Sequence, residues 1–112
     1  MITKEERDFA ADCIRRIVSQ MGKHPWDINC GECDEFSDKL LEALGPEAES
    51  FWVTNLPDYP YDRDDHDISH VVTLWKGLYF DSEEPYGVSD WRYLPCCARA
   101  IRKLDGCLTL NG

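Results

Sequence analysis

No apolar run in this sequence approaches the roughly 18 residues that a membrane-spanning helix needs. The N-terminal stretch MITKEERDFAADC is charged and has no apolar segment of the kind a secretory signal carries. Bases are scarce: 12 Lys and Arg stand against 22 Asp and Glu, a formal net charge of −10. Phosphate backbones and anionic lipid surfaces both call for a basic face, so neither nucleic acid nor membrane is an expected partner. A basic partner protein suits the charge, as does plain solubility. There is also no internal repeat, low-complexity tract or linker. The expected compartment is a reducing cytoplasm, where cysteines serve as packing, metal ligands or chemistry rather than as bridges.

What the sequence does contain is enough apolar and aromatic character, 43% and 12% of its 112 residues, to build one core. That length suits a single domain spanning residues 1–112. Residues 3–21 predict an amphipathic helix. Thr3 and Glu6 have capping-box spacing, and Phe9, Ala10, Cys13, Ile14, Ile17, Val18 and Met21 form one stripe ended by Gly22. Cys13 lies in that stripe and reads as a small core residue. KHPWDINCGE, residues 23–32, reads as an irregular lead-in to a second helix from Cys33 to Leu44. Phe36, Leu40, Leu41 and Leu44 form its inner face, and Gly45-Pro46 ends it. ESFWVTN predicts a first strand. LPDYPYDRDDHDIS, residues 56–69, predicts a long solvated loop that lacks the ligand order of a calcium-binding loop.

HVVTLW and LYFDSE, joined by Lys76-Gly77, predict a β-hairpin. EPYGVSDW reads as a turn segment. LPCCARAIRKL predicts a third helix with Pro95 in its first turn and Gly106 beyond its end. Trp91, Tyr93 and Pro95 read as packing residues, and Cys96 and Cys97 as one buried and one edge position. The order α, α, β, β, β, α makes the fold class α+β, N-terminal helices packed on a small antiparallel sheet.

The hairpin has a chemical consequence. A two-residue turn at Lys76-Gly77 sets Trp75 opposite Leu78, Val72 opposite Asp81 and His70 opposite Glu83. His70 and Asp81 then share a face as diagonal neighbours, with Cα atoms roughly 7–8 Å apart. Glu83 is the alternative acid. Alone, a histidine beside a carboxylate reads as a surface ion pair of little worth. A cysteine at a helix start changes that reading, because the helix dipole and free N–H groups acidify a thiol there. The carboxylate would hold the imidazole in the right tautomer, and the imidazole would activate the thiol. The cysteine's backbone N–H is placed to bind an oxyanion. Cys33 is the stronger nucleophile candidate, being nearest the expected first turn and anchored by Phe36 and Leu40. Cys30 falls in the lead-in. Asn29 and Trp26 are the candidates for a second oxyanion donor.

The segments GECDEFSDKLLEAL and SHVVTLWKGLYFDSEEPYGV together resemble the papain-like superfamily of cysteine enzymes, and in particular its small transglutaminase-like members. Similar segments occur in small bacterial and phage proteins. The resemblance covers roughly residues 29–95. It implies a papain- or transglutaminase-like core and thiol-based acyl transfer: peptide cleavage, amide hydrolysis, deamidation or transamidation. It implies Cys33 as nucleophile, His70 as base and then acid, Asp81 as the orienting acid, a peptide or protein substrate, and no cofactor. So short a chain leaves little room for a deep specificity pocket, so a partner surface is expected to complete the site.

Three other readings compete. Cys30-x-x-Cys33 is half of a zinc site, with Cys96-Cys97 or His66 and His70 as the other half. The same pair at a helix start has redox geometry, although no parallel βαβ context accompanies it. The acidic surface also suits a catalytically inactive protein-binding module.

Overall fold

The computed structural model describes residues 1–56, 58–59 and 68–111, the stretch 104–111 as backbone only. Most of the expected acidic loop, with His66, lies outside the described residues, as does the side chain of Cys107. The fold is α+β. Helices α1 (Lys4–Met21), α2 (Pro25–Gly31) and α3 (Cys33–Leu44) precede strand β1 (Glu49–Trp52) and a 3-10 turn at Val53–Asn55. Strands β2 (Val71–Trp75), β3 (Leu78–Asp81) and β4 (Glu84–Val88) follow, then a 3-10 turn at Trp91–Tyr93 and helix α4 (Pro95–Asn111). The sheet is an antiparallel meander in the order β1-β2-β3-β4.

Helix α1 starts where its capping box places it. The Thr3 hydroxyl accepts from the Glu6 N–H at 3.1 Å, and the Glu6 carboxylate accepts from the Thr3 N–H at 2.9 Å. Gly22 ends the helix in the left-handed region at φ 67°. Ala10, Cys13, Ile14 and Ile17 are buried, but Phe9 is 50% exposed, so the inner stripe is narrower than the sequence suggests. Lys76 and Gly77 both have positive φ, 51° and 83°, which is the backbone of a two-residue hairpin turn matched to strand twist. That turn sets the pairs Trp75–Leu78, Leu74–Tyr79 and Thr73–Phe80.

The sheet is covered on both faces, which is why β2 reads as a nearly unbroken apolar run. On one face α1 and α3 close a core of Ile14, Ile17, Phe36, Leu40, Trp75 and Phe80. On the other, Val53, Ile68, Val72, Trp91, Leu94 and Cys97 form a second core under α4. Alternation along the strands assigns the sides: Thr73, Trp75 and Phe80 turn toward the N-terminal helices, Val72 and Tyr79 toward α4.

Four sequence expectations need correction. Residues 25–31 of the lead-in are helical, started by Pro25 at the first position and by His24, whose Nδ1 accepts from the Trp26 N–H at 3.1 Å. Seven residues are too few to display helical periodicity. The EPYGV segment is not a turn but the edge strand β4, where Pro85 is tolerated because an edge leaves N–H groups unpaired. Helix α4 runs through Gly106 to Asn111 instead of stopping before it. Finally, Tyr93 is 70% exposed and does not pack in the core, whereas Trp91 does and donates its indole N–H to Asp58 at 2.9 Å.

Candidate functional site

Cys33 is the first residue of α3. The preceding Glu32 breaks the α2–α3 path with φ −129° and ψ 23°, serving at once as the end of α2 and the cap of α3. Glu32 pairs with Lys23, and its N–H donates to the Ile28 carbonyl at 2.8 Å, so the break is held from both sides. No side chain caps the start of α3. Its first-turn N–H groups and the positive end of its dipole therefore lie at the cysteine. Phe36 and Leu40 sink one face of α3 into the core. The Ser37 hydroxyl bonds those of Ser50 and Thr73, tying the same helix to β1 and β2. These anchors bring the Cys33 thiol to the segment that enters β2, where it meets the Val71 backbone N–H and the His70 ring.

His70 lies one residue before β2. Its N–H donates to the Ile68 carbonyl at 2.9 Å, and its carbonyl accepts from the Val53 N–H at 2.9 Å. The ring is 1% exposed. Its Nε2 lies 3.0 Å from Asp81 Oδ2, the diagonal contact that the hairpin register predicts. Asp81, 2% exposed, closes β3, and its Oδ1 accepts the N–H groups of Glu83 and Glu84 at 2.9 and 3.0 Å. His70 Nδ1 is the one buried side-chain nitrogen or oxygen among the described residues without a formed hydrogen bond. With Nε2 engaged by Asp81, Nδ1 is the nitrogen left for the Cys33 thiol. That contact is looser than a closed hydrogen bond, as pairs in substrate-free sites often are.

Electrostatics follows this geometry. Burial works to keep the His70 ring neutral, but the Asp81 carboxylate and then the Cys33 thiol outweigh it and push the imidazole up to about 9. Burial likewise raises the Cys33 thiol. The nearby His70 ring and the Val71 N–H, together with the imidazolium charge, win and lower it, while Asp34 opposes. The arrangement therefore favours a thiolate–imidazolium pair with a buried carboxylate behind it.

The remaining candidates fall elsewhere. Glu83 is not opposite His70: the chain turns at Ser82-Glu83 to start β4, and the pairing shifts between Tyr79 and Asp81. Glu83 instead accepts from Arg99 and Asn29. Asn29 is buried, and both ends of its amide are engaged, Nδ2 by Glu83 at 3.0 Å and Oδ1 by the Ser82 hydroxyl at 2.9 Å. Its side chain supports the turn; Glu83 takes one of the two amide hydrogens, and Asn29 also lines the cavity at Cys33. Trp26 is half-exposed on the first turn of α2 and does not line the cavity at Cys33. Cys30 is exposed and lines that cavity.

The cavity measures about 160 Å³ and is bounded by Asn29, Cys30, Gly31, Cys33, Asp34, Trp52 and Ser69. It is small, less than half the volume of the cavity of about 500 Å³ between α1 and the β3–β4 turn. Trp52, which the sequence reading treated only as a strand residue, is 46% exposed on its wall. No pattern in the sequence separates it from an ordinary strand aromatic. Cys96 is half-buried and Cys97 buried, and burial pushes both thiols up, Cys96 to about 11. Among the described residues, no three His, Cys, Asp or Glu side chains converge as metal ligands, and no helix is long and apolar enough to cross a membrane. Comparison with protein-family models, curated proteins and solved structures finds no match to this chain.

Proposed function

We propose that this chain is a thiol-dependent acyl-transfer enzyme with a papain- or transglutaminase-like core, acting on an amide of a peptide or protein. One observation carries the reading: a thiol at the uncapped start of a helix meets a buried histidine whose far nitrogen is held by a buried carboxylate. In the proposed reaction the Cys33 proton passes to His70, and the thiolate attacks the substrate carbonyl carbon. The Cys33 backbone N–H faces the oxygen that becomes negative. His70 then returns its proton to the departing amine, leaving an acyl-thioester on Cys33. Water completes hydrolysis or deamidation, and a second amine completes transamidation. Asp81 keeps the Nε2 proton of His70 in place, so that Nδ1 does the work. The small cavity fits one side chain of an extended peptide lying across Trp52 better than an engulfed small molecule, and a partner surface would supply further contacts.

The test is the pH dependence of iodoacetamide alkylation, resolved by residue with mass spectrometry, in wild type and His70→Ala. Rapid alkylation of Cys33 below pH 7 that disappears in His70→Ala is the expected result. It should be followed by turnover of model peptide amides that is lost in Cys33→Ser. A Cys33 that alkylates like any free thiol in both proteins overturns the proposal and favours an inactive binding module.

A further inference from the structure

The turn that carries Asp81 is tied down from two helices. Ser82 and Glu83 are its two central residues, between Asp81 on β3 and Glu84 on β4. The orientation of the Asp81 carboxylate is tied to this turn, because Oδ1 accepts the N–H groups of Glu83 and Glu84. The turn has further ties beyond these internal bonds. The Ser82 hydroxyl reaches the Pro25 carbonyl at 2.7 Å and Asn29 Oδ1 at 2.9 Å, both on α2. Glu83 Oε1 accepts from Asn29 Nδ2 at 3.0 Å and from Arg99 Nη2 at 2.6 Å, while Oε2 accepts from Arg99 Nη1 at 3.0 Å. Arg99 comes from α4, so α2 and α4 meet at one glutamate.

We propose that Arg99 and Glu83 form a positioning clamp that fixes the Ser82-Glu83 turn, and through it the Asp81 carboxylate, at the distance His70 requires. The two-pronged guanidinium–carboxylate contact fixes angle as well as distance, which a lysine cannot do. The Glu83 side chain is only 15% exposed and already holds Asn29 from the other side, unlike a free surface ion pair. Neither clamp residue touches the thiol or would touch the substrate. Their effect on acyl transfer rests on the function proposed above, but their effect on the His70–Asp81 contact does not.

The groups that bear on His70 are Asp81 from β3, Cys33 from α3 and Glu83 from the turn. The direction of a charge effect can therefore be told from that of a positional one. Removing the Arg99 cation takes positive charge away from this cluster, so charge alone raises the proton affinity of His70. Loss of position moves Asp81 off Nε2 and lowers it.

The experiment follows the His70 ring by NMR across pH in the intact chain, for wild type, Arg99→Met and Arg99→Lys, alongside Cys33 alkylation. The expected result is a fall in the His70 midpoint of about one pH unit in Arg99→Met, tenfold in proton affinity, and a smaller fall in Arg99→Lys. An unchanged or raised midpoint in a folded Arg99→Met overturns the clamp. If Arg99→Met does not fold, Arg99→Lys decides: it keeps the charge and loses the fork, so a lowered midpoint supports the clamp and an unchanged one overturns it. If wild-type Cys33 alkylates as an ordinary thiol while the His70 midpoint still follows Arg99, acyl transfer falls and the clamp stands.

Discussion

Replacing Asp81 with asparagine changes one atom at the centre of the buried contact network. The amide oxygen can still accept the N–H groups of Glu83 and Glu84, so the turn keeps its bonds. The amide nitrogen would then face His70 Nε2, where a carboxylate oxygen now lies at 3.0 Å. A neutral imidazole must accept there and carry its proton on Nδ1, the side of the thiol. Such a ring cannot take the Cys33 proton.

The size of the effect follows from the acid–base balance. In wild type, with the ring at about 9, nearly every His70 is charged at neutral pH. Without the carboxylate, burial dominates, and the ring falls to or below its ordinary value of about 6.5, so less than about a quarter is charged at pH 7. The buried thiol loses its cation, and burial then raises it back toward the ordinary thiol range, so less of it is thiolate at neutral pH. Alkylation of Cys33 at pH 7 should fall by roughly tenfold, since the lost thiolate fraction is partly offset by the higher intrinsic nucleophilicity of the more basic thiol. The loss of charge-assisted bonding costs about 1.5–3 kcal/mol, so denaturant unfolding must accompany the assay to show that the variant is folded. A folded Asp81→Asn protein whose Cys33 keeps wild-type reactivity below pH 7 would refute the linkage from carboxylate to imidazole to thiol.

Three further outcomes are expected. His70 has a folded value of about 9, above its ordinary value of about 6.5. Its charge therefore contributes stability, on the order of 3 kcal/mol, that is fully present below about pH 6.5 and is lost as pH rises through about 9. The stability difference between wild type and His70→Gln, from denaturant unfolding, should narrow between pH 6 and pH 10; a constant difference removes the charged-ring assignment. Gly87→Ala should destabilise by about 2–4 kcal/mol, because Gly87 sits at φ +78° and an added Cβ would lie 2.7 Å from the Phe80 ring. A midpoint shift under 0.5 kcal/mol would mean that β4 moves away freely. Cys30→Ser should leave the pH profile of Cys33 alkylation unchanged, since the thiol is activated by His70 and the Val71 N–H, and loss of the low-pH limb would restore a two-cysteine mechanism.

Local chemistry made much of this site readable before any coordinates. The start of α3 at Cys33 follows from Phe36, Leu40 and the Gly45-Pro46 stop. The His70–Asp81 meeting follows from a two-residue turn at Lys76-Gly77 and the period of a strand. Both inferences use contacts a few residues apart, where the backbone has few options. The failures begin where a second local choice intervenes. Counting along the hairpin put Glu83 opposite His70 because it assumed that β3 continues past Asp81. The chain turns there, and Asp81 itself, by accepting the N–H groups of Glu83 and Glu84, helps make it turn. The acid at the site is thus also the residue that ends the strand carrying it.

The same dual use gives Asn29 a second role that the sequence does not suggest. Proximity to Cys33 in sequence suggested an oxyanion donor, yet the helix formed by residues 25–31 carries Asn29 to residues more than fifty positions away, Ser82 and Glu83. Nothing within the segment HPWDINCGE could reveal that pairing, because its partners are set by how α2 meets the β3–β4 turn. Arg99 was equally illegible: a basic residue on a C-terminal helix has no local sign of its partner. Cys33 and His70 are positioned by short-range rules, α3's start and the hairpin's register. The residues that hold them in register come from α2 and α4, which approach through tertiary packing alone. A sequence reading should therefore recover a nucleophile–base–acid set more readily than the supports that orient it, and the Arg99 variants test whether those supports govern the His70 ring or merely surround it.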